Sequence, residues 1–184
     1  MARRIGMLNA VIDAVKEVAK HEIIPRYLKV QGHYKSDGSL CTGADIAAQE
    51  ALIGKLQEIY PGKIVSEEMS VAQNNDQWSS GDGGLWCIDP IDGTTNFVNG
   101  IPYFAVSVAL MNCGRSVLGV VYDPIADEMF SAEKGKGAFL NKAKLPVKEY
   151  TPTAFEGAIA SVDLKRLNKK LAASISTTPP CSSQ

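Results

Sequence analysis

Four runs of alternating apolar residues follow one another between Tyr103 and Leu140, and nothing between them is long enough to form a helix. The runs are Tyr103–Met111, Ser116–Tyr122, Glu128–Ala132 and Gly137–Leu140. In the first, Phe104, Val106 and Val108 alternate with Ala105, Ser107 and Ala109, the period of a strand buried on one face. Asp123-Pro124 and Asn141-Lys142 supply turn chemistry beside the runs. Strands joined by turns rather than by crossover helices pair antiparallel. Such a sheet has an apolar face that another layer must cover.

The cover is written upstream. Leu8, Val11, Ile12, Val15 and Val18 recur at the spacing of one helix face within Gly6–Leu28, with Asp13, Lys16 and Glu17 turned outward. Pro25 bends or ends this helix. A second helix is expected over Gly43–Tyr60, with Ile46, Ala47, Leu52, Ile53, Leu56 and Ile59 as its apolar set. Thr42 is its cap and Pro61-Gly62 its stop. Between the two, Gln31–Ser39 reads as a loop or short hairpin around Asp37-Gly38. Lys63–Ser66 and Gly84–Ile88 read as short strands, and the polar stretch 71–84 as a mobile loop or exposed turn. Further on, Gly157–Val162 reads as a strand and Leu164–Ile175 as a short helix, with Lys165, Arg166, Lys169 and Lys170 on its solvated face. The predicted class is α+β: a layered α-β sandwich with two N-terminal helices packed on a largely antiparallel sheet.

Composition removes several functions. Among 184 residues the formal net charge is -1, which offers no general attraction to nucleic acid or anionic lipid. No apolar run approaches the roughly 18 residues of a membrane-spanning helix. The start of the chain carries no apolar signal core, so a cytoplasmic location is expected. Cys41, Cys87, Cys113 and Cys181 show no Cys-x-x-Cys spacing, and two of them lie in apolar runs that suit buried, inert thiols. His21 and His33 have no His or Cys neighbour to share a metal. Acid-base and metal chemistry therefore falls to carboxylates.

One stretch concentrates them: Trp86-Cys87-Ile88-Asp89-Pro90-Ile91-Asp92-Gly93-Thr94-Thr95-Asn96-Phe97. An apolar strand delivers Asp89 at its carboxyl end, Pro90 sets a turn, and Asp92 follows three residues later. Both carboxylates can then enter one pocket, with the Ile91 carbonyl as a further hard oxygen, a set that suits Mg²⁺ or Mn²⁺. Gly93 allows close backbone approach, and Thr94–Phe97 reads as the first turn of a short helix whose free N–H groups form an anion site. Two carboxylates 4 Å apart repel by about 4 kcal/mol even at an effective dielectric of 20. Divalent cations cancel that repulsion and activate water. Taken singly, Asp-Pro and Asp-Gly are ordinary turn residues; the length of the coherent string favours chemistry.

The string Asp89–Phe97 resembles the signature of the inositol monophosphatase family, Mg²⁺-dependent and Li⁺-sensitive phosphatases. Val65-Ser66-Glu67-Glu68 resembles its paired-glutamate motif, and Lys35 with Thr42–Asp45 resembles the segment that supplies a water-activating carboxylate. Gly119–Pro124 and Gly135–Phe139 are similar to its strand and hairpin motifs. The resemblance implies that Glu67, Asp89 and the Ile91 carbonyl hold a first metal. It implies that Asp89 bridges to a second metal bound also by Asp92, within a set of two or three Mg²⁺ ions, with Mn²⁺ as a substitute. Thr94, hydrogen-bonded to Asp45, would orient and deprotonate the water, making Asp45, Thr94 and Glu67 the catalytic set. Asp92, Gly93, Thr94 and Thr95 would receive the substrate.

The implied substrate is a small phosphorylated polyol, inositol 1-phosphate first, with fructose 1,6-bisphosphate, NADP and nucleotide phosphates as alternatives. The implied partners are a second copy in a homodimer and, as a separate non-catalytic role, a protein of a transcription-antitermination complex, without direct nucleic-acid binding. Departures are Ser39 for a frequent Asp, Ala44 for a frequent Thr and Ser66 for a frequent Gly. The family's Trp-Asp-x-Ala-Ala-Gly motif does not occur. Residues 1–150 are accordingly read as an N-terminal metal- and phosphate-binding domain and 151–184 as the start of a truncated α/β domain. The 184-residue chain alone is expected to bind the first metal and turn over poorly.

Overall fold

The computed structural model describes residues 2–35, 38, 40–79, 83–146 and 167–177. The chain divides into two compact units, 1–147 and 148–184. In the first, helix α1 (Ala2–Val18) continues through a wider turn at Ala19–Ile23 into a tight turn at Ile24–Arg26. Pro25 lies in that last turn, so it ends the helix as expected. Strands β1 (His33–Tyr34) and β2 (Leu40–Cys41) form a separate antiparallel hairpin. Helix α2 (Gly43–Ile59) follows, then β3 (Lys63–Ser66), helix α3 (Val71–Ser79), β4 (Leu85–Asp92) and the short helix α4 (Thr94–Val98). The remaining strands are β5 (Ala105–Asn112), β6 (Arg115–Asp123), β7 (Glu128–Glu133), β8 (Gly137–Leu140) and β9 (Ala143–Lys144).

Among the described residues the sheet has seven strands in chain order, β3 to β9. Only β3–β4 is parallel, and the connection that permits it carries α3; every later pair is antiparallel. Alternate residues of its buried face, Trp86 and Ile88, Val106, Val108 and Leu110, Leu118 and Val120, share one core with Val11, Val15 and Val18 of α1 and Leu52 and Leu56 of α2. The buried Trp86 ring keeps its polar edge satisfied by donating to the Tyr60 carbonyl at 3.1 Å. The opposite face is built of smaller residues and leaves Val121 and Phe130 exposed. The α+β architecture expected from the alternating runs is the observed one.

Three local readings need correction. The buried side of α2 is Ala44, Ala48, Leu52 and Leu56, an i,i+4 row, whereas Ile46 is exposed. The segment 71–84 opens with a nine-residue helix, α3. Its start is capped by Ser70 and Gln73, whose side chains bond to each other at 2.8 Å and to each other's backbone N–H, the Ser-x-x-Gln form of a capping box. And β4 runs on to Asp92, past the turn that Pro90 was expected to impose.

In the second unit, helix α5 (Lys169–Thr177) is capped by Asn168, which accepts from Leu171 N at 2.9 Å, and Lys169 and Lys170 are exposed. It starts five residues later than the helix read from Leu164, of which 164–166 lie outside the described residues; so does the strand expected at Gly157–Val162.

Candidate active site

Two strand ends carry the acids. Because β3 and β4 run parallel, with Ser66 opposite Ile88, Glu67 and Asp89 emerge side by side. The Glu67 N–H donates to the Ile88 carbonyl at 3.4 Å, which ties the two chains one residue before Asp89. Pairing of β4 with β5 is irregular between Asp89, opposite Ser107, and Asp92, opposite Ala105. Pro90 and Ile91 fill this bulge and are buried, Asp89 is half-buried and Asp92 is exposed. Pro90 has no N–H to give a ladder, so it is tolerated at a bulge and does not end the strand.

The carboxyl groups of Glu67 and Asp89 are hydrogen-bonded to each other. Burial first, then this bond and the charges of Glu67 and Asp92, push Asp89 up to about 8, while the Ile91 N–H pulls the other way. At neutral pH Asp89 therefore favours its protonated form. Among the described residues no three His, Cys, Asp or Glu side chains are gathered to hold a metal ion. Asp92 thus acts on the pair through its charge alone. Two neighbouring carboxyls and the Ile91 carbonyl are a hard-oxygen donor set that fits one divalent cation.

Asp45 enters from the first turn of α2. Its Oδ2 accepts from Thr42 N at 2.7 Å and Thr42 Oγ1 at 2.5 Å, while Thr42 Oγ1 accepts from Ala44 N at 3.0 Å. This reciprocal capping box holds a carboxylate that is 1% exposed, and burial raises its pKa against the pull of Thr42. The other oxygen, Oδ1, lies 3.2 Å from Thr94 Oγ1, which is also 3.1 Å from the Ile91 carbonyl. When Thr94 donates to Asp45, the Ile91 carbonyl is released and a lone pair of Thr94 can accept a proton from water.

Gly93 begins α4 with φ 100°, a left-handed conformation, and a Cβ there would meet the Tyr103 carbonyl at 3.1 Å. The glycine is required by the backbone it packs against, in addition to any ligand it admits. The first N–H groups of α4, from Thr94 and Thr95, are those a helix start leaves without intrahelical acceptors. Phe97 of α4, Phe104 and Tyr27 stack with ring centroids 5.0–5.4 Å apart and anchor this corner. Asp92 and Gly93 open onto a cleft of ≈ 450 Å³ shared with Asn96, Tyr103, Asp123 and Phe130.

The structure gives Asn74, which the sequence reading passed over, and Glu68, which it named without a partner, definite places. Asn74 of α3 completes the free edge of β3 with its amide, accepting from Ser66 N at 3.0 Å and donating to Ser66 O at 2.8 Å. Glu68, beside Glu67, is buried against Lys35. The Ser70-x-x-Gln73 box was the available signal for the first; two adjacent glutamates gave no signal for the second.

A layered α+β fold with a carboxyl pair at parallel strand ends, next to a glycine-started helix, brings hard-oxygen donors and free N–H groups to one corner. The chain belongs to the inositol monophosphatase family, which it matches over residues 5–175. It is similar to the Nus factor SuhB of Pasteurella multocida (strain Pm70), 40% identical over 146 residues that cover 77% of this chain and 52% of that protein. Among solved structures it is similar to the IMPase of Thermotoga maritima, with a TM-score of 0.65 and 35% identity, over 75% of this chain and 52% of that one. An IMPase/NADP phosphatase complexed with Mg²⁺ and phosphate matches with a TM-score of 0.60 and 27% identity, over 72% and 48% of the two chains. The chain spans about half the length of the curated relatives it matches.

Proposed function

We propose that this chain carries the metal- and phosphate-binding part of a Mg²⁺-dependent phosphomonoesterase acting on a small polyol phosphate, inositol 1-phosphate first. The observation that carries the reading is the placement of Glu67 and Asp89 side by side where the parallel strands β3 and β4 pass Ser66 and Ile88. Glu67, Asp89 and Ile91 O would hold a first divalent cation, and Asp92 would join Asp89 at a second. Bound there, the metal supplies charge neutralisation and a more acidic water. Asp45 takes the Thr94 proton, Thr94 orients and deprotonates the water, and Gly93, Thr94 and Thr95 receive the phosphate through N–H groups. Residues 1–150 form the domain that does this, 151–184 begin a second, and the setting is cytoplasmic. Among the described residues no helix is long and apolar enough to cross a membrane. The Mg²⁺ and phosphate of the IMPase/NADP phosphatase relative support this choice of ligands.

The test has two arms. Mg²⁺-dependent phosphate release is compared for inositol 1-phosphate, fructose 1,6-bisphosphate, NADP and a nucleotide 3′-phosphate, with and without Li⁺. Mn²⁺ binding, followed by its EPR signal, reads the metal site independently of turnover. Binding that Asp89→Asn abolishes supports the reading; a wild-type chain that binds no Mn²⁺ at millimolar concentration overturns it. A second reading is favoured by the similarity to a Nus factor: contact with a protein of a transcription complex. It predicts that Asp89→Ala keeps biological activity while losing metal.

A further inference from the structure

The β1–β2 hairpin lies outside the seven-stranded sheet, yet its loop end reaches the acids of the site through Lys35. Lys35 follows β1 directly. Its Nζ stands 2.8 Å from Glu68 Oε2 and donates to the Glu67 carbonyl at 3.4 Å. The Glu68 side chain is only 3% exposed and that of Lys35 23%, so this pair is largely withdrawn from water. Across the hairpin, the buried thiol of Cys41 in β2 donates to the Thr42 carbonyl at 3.6 Å, and burial first, then the Glu68 carboxylate, pushes it up to about 12. The Glu67 N–H, for its part, is held by the Ile88 carbonyl. The main chain of Glu67 is therefore pinned on both sides: by the strand that bears Asp89, and by Lys35.

Burying an ion pair costs desolvation that its own attraction only roughly offsets, so stability alone is a poor reason for one here. An exposed lysine at the same place would tether the hairpin without that cost. What the buried pair adds is a fixed donor at the Glu67 carbonyl. We propose that Lys35 and Glu68 are positioning residues: their ion pair fixes the backbone of Glu67 so that its carboxylate meets Asp89, and it couples the hairpin to the metal site. This rests on the reading of Glu67 and Asp89 as metal ligands. Neither Lys35 nor Glu68 touches the cation; both act through Glu67.

The experiment measures Mn²⁺ affinity by EPR and metal-free thermal melting on the same full chains. The variants are Lys35→Met, Lys35→Arg, Glu68→Gln, the swap Lys35→Glu/Glu68→Lys, and Asp89→Asn as a ligand control. Lys35→Met and Glu68→Gln are expected to lose about 10–100-fold in Mn²⁺ affinity, the range typical of groups that hold a ligand. Lys35→Arg, which keeps a donor, should recover most of it. The swap restores an opposite-charge pair but puts an acceptor where the Glu67 carbonyl needs a donor; its melting temperature should recover and its Mn²⁺ affinity should not. A merely structural pair predicts recovery of both, and that result overturns the proposal. Unchanged affinity in Lys35→Met and Glu68→Gln, with loss in Asp89→Asn, also overturns it and leaves the metal reading standing. Unchanged affinity in Asp89→Asn overturns the metal reading, and this inference with it. Should Lys35→Met not fold, the isosteric Glu68→Gln carries the comparison.

Discussion

Asp127 and Asp89 are aspartates of the same sheet, and their surroundings push them in opposite directions. In the turn between β6 and β7, Asp127 Oδ1 lies 2.9 Å from Lys16 Nζ of α1 and accepts from the Tyr122 hydroxyl at 2.9 Å. Those two bonds and the lysine charge hold its carboxyl below the ordinary value of 3.8. At the end of β4, burial and two neighbouring acids drive Asp89 above it. Where a carboxylate serves the fold, the chain brings a cation of its own. Where carboxyls are gathered with one another, folding works against their repulsion, and a ligand from outside gains what the fold gives up.

The severest way to break this contrast is Asp89→Asn. It should weaken Mn²⁺ or Mg²⁺ binding by at least about 100-fold, the upper end of what supporting groups alone cost. It should not destabilise the metal-free chain at pH 8, because there the wild-type carboxyl must begin to ionise against burial and its acidic neighbours. A variant that binds metal normally, or melts far below wild type without it, shows that Asp89 belongs with Asp127. The same contrast has a pH signature. The folded pKa of Asp89 lies above its ordinary 3.8, so its contribution is complete below about pH 4 and is lost as pH rises through about 8. The metal-free melting temperature should therefore fall by a few degrees across that window, saturating Mg²⁺ should remove the slope, and calorimetry reads both.

Gly93→Ala comes next. A left-handed φ of 100° and a Cβ 3.1 Å from the Tyr103 carbonyl both oppose the substitution. The expected loss is about 1–3 kcal/mol, read by denaturant unfolding. A neutral result would mean that the corner between β4 and α4 can relax, and that the glycine serves only the ligand.

The site was more legible than its supports. Alternation made β5 to β8 readable because one face of each is buried, and Asp89–Phe97 was readable because its residue types have few other joint uses. What escaped were features set by distant neighbours. Pro90 reads as a stop until the irregular pairing with β5 shows the strand continuing around it. Helix α3 is too polar to show a periodic apolar face, and its existence rests on a cap and on Asn74 gripping the edge of β3. Ile46 was placed inside by hydrophobicity, whereas the small Ala44 and Ala48 are what let α2 approach the sheet. The Glu67–Asp89 bond depends on a parallel pairing across the whole α3 connection, which local spacing does not encode. The burial of Glu68 against Lys35 was not legible, because which of two adjacent acids is buried is decided by where the hairpin lies.

Thr42→Ala probes an acid that stands between the two extremes. Asp45 is buried like Asp89 but bonded like Asp127, with Thr42 supplying an N–H and a hydroxyl. Loss of the hydroxyl removes the cap of α2, worth about 1 kcal/mol, and lowers the melting temperature by a few degrees. It should leave Mn²⁺ affinity unchanged, since Asp45 meets the site only through Thr94. A fall in metal affinity equal to that of a ligand variant would place Asp45 among the ligands.

Lys16→Met should have the smallest effect, because its partner Asp127 is exposed and an exposed pair contributes little. The informative quantity is the sign of its pH dependence. The folded pKa of Asp127 lies below its ordinary value, so its contribution is present above about pH 4 and is lost as pH falls through the lowered pKa, the reverse of Asp89. Removing Lys16 should shrink the acid-side loss of stability and leave the alkaline-side slope untouched. Salt should act likewise, screening the exposed Lys16–Asp127 pair far more than the part-buried acids at β4. If Lys16→Met altered the alkaline slope or the Mn²⁺ affinity, the two aspartates would belong to one electrostatic system, and the division between a carboxylate for the fold and carboxylates for a ligand would fail.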